Sequence, residues 1–101
     1  MLCFEFRLKT GFFETKTFDL LISKGKLMLS PAESKEQVIT IPEKDILNIT
    51  LKNMKSLEIE IQTWDKIYQG IIGNKADYEE LLRQLKENIN KKILCEYEGG
   101  N

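Results

Sequence analysis

Histidine is absent from this chain of 101 residues, and cysteine is scarce, with Cys3 and Cys95 near opposite ends. The first absence removes the commonest general base at neutral pH and the commonest metal ligand. The second leaves no CxxC pair on which to build a structural zinc site. No catalytic residue, cofactor or metal site is expected, and the chain reads as non-enzymatic. Nor does any apolar run reach the length needed to cross a bilayer. The opening MLCFEFRLKT has no basic leader ahead of a long apolar stretch. A secretory signal is therefore not expected, and a cytoplasmic location is the default. In that compartment the two cysteines are expected to stay reduced.

An excess of one charge is also missing. Lysine plus arginine number 15 against 16 aspartates plus glutamates, a formal charge of −1. That balance argues against a nucleic-acid partner, whose binder carries a basic stripe. It argues equally against attachment to an anionic membrane by charge alone. What is present is ordinary for a globular domain: 42% hydrophobic and 31% charged residues, enough for a single core.

The first seventy residues repeat with a period of two. Leu2, Phe4, Phe6 and Leu8 alternate with Cys3, Glu5, Arg7 and Lys9, the pattern of a half-buried strand. TFDLLIS and KLMLS flank a glycine-centred reversal at SKGK, which reads as a hairpin. VITI runs into Pro42, DILNITL breaks alternation in a way that expects a bulge, and LEIEIQT and IYQGIIG complete seven strands. Gly70 inside the seventh expects a bulge or the close approach of another backbone.

The period then changes. Tyr78, Leu81, Leu82, Leu85, Ile89 and Ile93 follow one face of a helix of about 18 residues, some 27 Å long. Asn74 or Asp77 is placed to cap it, and Asp77 with Glu80 has capping-box spacing. Glu79 with Arg83 and Glu87 with Lys91 stand in the favourable i,i+4 order. The domain is expected to span 1–94, with 95–101 a flexible tail.

This order of elements resembles the pleckstrin-homology-like superfold, and in particular its bacterial and GRAM-type members. The second half carries the likeness: ITIPEKDILNITL, LEIEIQT, IYQGII and a helix opening ADYEELLRQLKENI. The resemblance implies an α+β, mainly β fold: a seven-stranded antiparallel, partly open barrel capped by one C-terminal amphipathic helix. It implies a binding or scaffold role, toward a protein segment or as a homo-oligomer, since bacterial members often self-assemble.

Glu58 and Glu60 lie two apart in a faultless alternation and so share one strand face with Gln62. A catalytic pair needs environments that drive its two pKa values apart. A shared solvated face is the simpler reading. Asp45 is expected to accept backbone hydrogen bonds at a turn.

In the family the first, third and sixth inter-strand loops surround the ligand-binding end. Here they correspond to TGFFETK, SPAESKEQ and TWDK. They bring Phe12, Phe13 and Trp64, with Lys9, Lys16, Lys35 and Lys66 beside them. Turned outward, these residues form a partner site or a peripheral membrane anchor. The plainer placement turns all three aromatics inward at the edge of the core. A phosphoinositide site is not expected, because Thr17, Phe18 and Asp19 follow Lys16 where the family's headgroup motif places another base.

Overall fold

The computed structural model describes residues 3–33, 37–73 and 78–97. Its elements run β1 (Cys3–Lys9), β2 (Thr15–Ser23), β3 (Lys26–Pro31), β4 (Ile39–Pro42), a 3₁₀ turn (Glu43–Asp45), β5 (Ile46–Asn53), β6 (Leu57–Thr63), β7 (Ile67–Ile72), α1 (Tyr78–Asn88) and β8 (Ile93–Tyr97). All eight strands belong to one sheet, in the order β4-β3-β2-β1-β7-β6-β5-β8.

Strand alternation decides the inside. Phe4, Phe6 and Leu8 of β1, Phe18, Leu20 and Ile22 of β2, and Leu57, Ile59 and Ile61 of β6 all enter a single buried cluster. A flat sheet cannot shelter that cluster. Six strand spacings separate β4 from β5, about 29 Å in a flat sheet. Yet only the 3₁₀ turn joins them, and the chain from Pro42 to Ile46 reaches at most about 14 Å. The sheet must therefore curl on itself, as strong twist favours. Tyr78, Leu81 and Leu85 of α1, with Ile89 just beyond it, are buried in the same cluster.

Gly70 allows the halves to join. It pairs with Leu8 across the β1–β7 seam, and a Cβ there would lie 2.2 Å from the Arg7 carbonyl oxygen and 2.5 Å from the Phe6 ring. The close approach expected from the sequence is present. So is the irregularity in β5, where pairing with β6 shifts between Ile46 and Asn48.

Three expectations are corrected. Among the described residues there are eight strands, not seven, and the eighth runs parallel to β5, from Ile49 opposite Ile93 to Asn53 opposite Tyr97. Residues 95–97, expected in a flexible tail, belong to that strand. Among the described residues the helix covers 11, Tyr78–Asn88, and ends at Asn88 instead of running on to Ile93 as the spacing of about 18 residues expects. At its end the Asn88 carbonyl accepts from the Gly25 N–H at 2.9 Å, after which the chain turns into β8. Ile93, which fits the helical spacing, instead packs against the core from that strand. Lys91 consequently lies outside the helix, and Glu87 meets Arg83 at 2.9 Å. Arg83 also bonds Glu80. The capping residues Asn74 and Asp77 lie outside the described residues.

Candidate functional site

The β1–β2 turn is short. Lys9 pairs with Thr15, and the Thr10 N–H donates to the Glu14 carbonyl at 3.0 Å. Gly11, Phe12 and Phe13 form a tip beyond the last ladder pair, out of reach of the core. Phe12 is 100% exposed and Phe13 98%. Their ring centroids lie 6.2 Å apart with planes at 40°, so the two rings present one apolar knob. Lys9 and Lys16 flank it on the two strands. The Lys16 ammonium sits 5.7 Å from the centroid of the Phe18 ring. A shallow hollow of about 250 Å³ lies alongside, lined by Thr15, Lys16, Thr17, Pro31 and Glu33.

The β6–β7 turn is held differently. The Thr63 N–H donates to the Lys66 carbonyl at 2.9 Å. The Thr63 hydroxyl, with one hydrogen to share, reaches both the Lys66 carbonyl at 2.7 Å and the Asp65 carboxylate at 2.9 Å. The same hydroxyl oxygen accepts from the Lys66 N–H at 3.2 Å. The Trp64 N–H donates to the Asp45 carbonyl at 3.2 Å. This bonding fixes the turn and leaves the Trp64 ring outside, 71% exposed. Lys66 lies over the Tyr68 ring at 4.9 Å, a contact worth about 0.5–1 kcal/mol at the surface.

The inward placement of the aromatics is thus corrected: Phe12, Phe13 and Trp64 all face solvent. The physical reason is that each stands at the tip of a two-stranded turn that outruns the core. Phe12 and Phe13 are brought together, whereas Trp64 stands on a separate turn. β1 and β7 are antiparallel neighbours, so their two turns lie at the same end of that strand pair. Lys35 of the third loop is outside the described residues. Sequence reasoning missed two further exposed apolar residues, Leu47 and Ile67. The broken alternation at Leu47 was the available signal.

The acidic candidates fall elsewhere. Glu58, Glu60 and Gln62 share the outward face of β6, each half-buried, and Glu60 approaches the Lys52 ammonium at 4.0 Å. Asp45 ends the 3₁₀ turn and contributes its backbone carbonyl to Trp64. Among the described residues, no group of three or more His, Cys, Asp or Glu is placed to hold a metal ion. Cys3 and Cys95 are both free and exposed, on strands separated by three others. No helix among the described residues is long and apolar enough to cross a membrane.

No protein-family model matches the chain, and no curated protein matches it. A solved structure does: the Spt16D–Pob3N heterodimer, with a TM-score of 0.66 at 16% identity, over 85% of this chain and 51% of that one. This chain therefore spans about half the length of the chain it matches. At that identity the likeness concerns the fold, which is pleckstrin-homology-like.

Proposed function

We propose that the chain is a non-enzymatic binding module that recognises a protein segment through the Phe12–Phe13 tip, with Lys9 and Lys16 at its flanks. Trp64 and Lys66 on the neighbouring turn supply a second contact. One observation carries this reading: two adjacent phenylalanines stand almost wholly in water. Covering each ring returns about 1.5–3 kcal/mol, and aromatic anchors of this kind dominate interface energetics. The matched fold occurs in a protein heterodimer, which supports a protein partner in general terms. The absence of histidine and the shared outward face on which Glu58 and Glu60 stand support a non-catalytic role. The finer likeness to bacterial and GRAM-type members rests on the ITIPEKDILNITL rhythm. The cytoplasm is the compartment this reading favours, in keeping with two exposed free thiols.

A random peptide library panned against the wild-type chain tests the reading. Peptides are expected that bind the wild type and lose binding to F12S/F13S. Failure to enrich any peptide, or peptides indifferent to the double substitution, contradicts it.

A second reading, peripheral attachment to a membrane, is favoured by the same knob between two lysines. Flotation with phosphatidylcholine vesicles, with and without phosphatidylserine, decides it. Co-migration that disappears in F12S/F13S supports attachment, and no co-migration removes it.

A further inference from the structure

The two edges of the sheet are built unequally. At one, β4 has four residues and ends in Pro42, which lacks an N–H. At the other, β8 has five residues, ILCEY, without proline or lysine. The Ile49 N–H donates to the Lys92 carbonyl at 3.0 Å, with Ile49 in register with Ile93. In a parallel ladder this sets the alternation along β8. Leu94 and Glu96 turn their backbone groups toward β5. Ile93, Cys95 and Tyr97 turn theirs outward, where no strand follows among the described residues.

We propose that this outward edge pairs antiparallel with β8 of a second copy of the chain, about a two-fold axis at Cys95. The proposal rests on the binding-module reading in the homo-oligomeric form that the family resemblance implies. Its basis is the strand's self-complementarity. Centred on Cys95, the pairing sets Ile93 against Tyr97 of the second copy, Cys95 against Cys95, and Tyr97 against Ile93. All three outward residues then become hydrogen-bonded pairs, whereas a centre at Leu94 satisfies only two of them. Charge disfavours only a centre at Glu96, which would set the two glutamates opposite each other, whereas here Glu96 falls opposite Leu94 of the second copy. Within its own subunit Glu96 lies beside Lys52. Leu94, 40% exposed, gains a neighbour. A two-fold interface of this kind closes on itself and does not propagate into a filament.

Light scattering and amide hydrogen exchange on the wild-type chain, from dilute to concentrated solution under reducing conditions, provide the test. The expected result is a doubling of mass at high concentration. Exchange at the Ile93 and Cys95 amides should slow together with it, by about tenfold or more. The Leu94 and Glu96 amides, already bonded to β5, should change far less. A chain that stays monomeric overturns the proposal but leaves peptide capture by Phe12 and Phe13 standing. A dimer in which the Ile93 and Cys95 amides still exchange fast also overturns it, while sparing self-assembly itself. C95P adds an independent check, because it removes an outward N–H without touching the β5 ladder. It should remain monomeric while Leu94 and Glu96 keep their protection. A C95P dimer, or a C95P chain that has lost that protection while the wild type shows no slowing at Ile93 and Cys95, counts against the pairing.

Discussion

The two ends of β2 carry turns of opposite character. At one end Lys24 and Gly25 form a polar turn that is bound into the rest of the molecule. The Gly25 N–H donates to the Asn88 carbonyl, and the Gly25 carbonyl accepts from the Glu43 N–H, each at 2.9 Å. The Glu43 carboxylate in turn accepts from the Asn90 N–H at 2.5 Å. At the other end Gly11, Phe12 and Phe13 form an apolar turn whose recorded backbone bond, Thr10 to Glu14, is internal to it. Polarity alone would predict the reverse. The difference lies in what stands nearby: the end of α1 has carbonyls to satisfy, and the polar turn supplies a donor. Among the described residues no comparable bond reaches the Phe12–Phe13 turn, and both of its rings stand in solvent.

The sharpest way to break this contrast is to remove what anchors the polar end. Leu85 is fully buried under the sheet, and L85A should cost about 3 kcal/mol, read as a loss in the midpoint of urea unfolding. Next comes the seam between the two halves. G70A drives a methyl group into the Arg7 carbonyl and should cost about 2 kcal/mol in the same measurement. Smaller again is G25A, which places a side chain at φ 79°, costing about 1 kcal/mol. F12S/F13S should leave stability within about 0.5 kcal/mol of wild type, since neither ring touches the core.

The smallest effect is electrostatic. The Gln84 side-chain amide, and after it Arg83, hold the Glu80 carboxyl below its usual range. A depressed folded value means the stabilisation is present above the unfolded pKa and is lost as pH falls through the folded one. Q84L should move the Glu80 titration midpoint upward by NMR. An unmoved midpoint removes the amide as the principal cause.

Much of the architecture was legible because alternation survives wherever one strand face is buried. Phe4, Phe6 and Leu8 declare β1, and Leu57, Ile59 and Ile61 declare β6. The close approach at Gly70 was legible too, since glycine in a strand costs stability unless something needs the room. The eighth strand was hidden by an ambiguity of spacing. Ile93 follows Ile89 by four residues, which suits a helix, while Ile93, Cys95 and Tyr97 also alternate as a strand. What separates them is tertiary: β8 pairs along β5, and the Asn88 carbonyl is taken by Gly25, more than sixty positions away. The site residues were legible by type but not by direction. An aromatic at a turn packs inward or stands outward according to how far the turn outruns the core, and that distance depends on how the whole sheet curls.

The most direct test of the account compares thermal unfolding of F12S/F13S with its affinity for peptides selected on the wild type. An unchanged melting temperature with lost binding is the predicted pair of results. A large fall in melting temperature would place the rings in the core, and retained binding would move recognition elsewhere; either contradicts the assignment of the Phe12–Phe13 tip as the recognition surface.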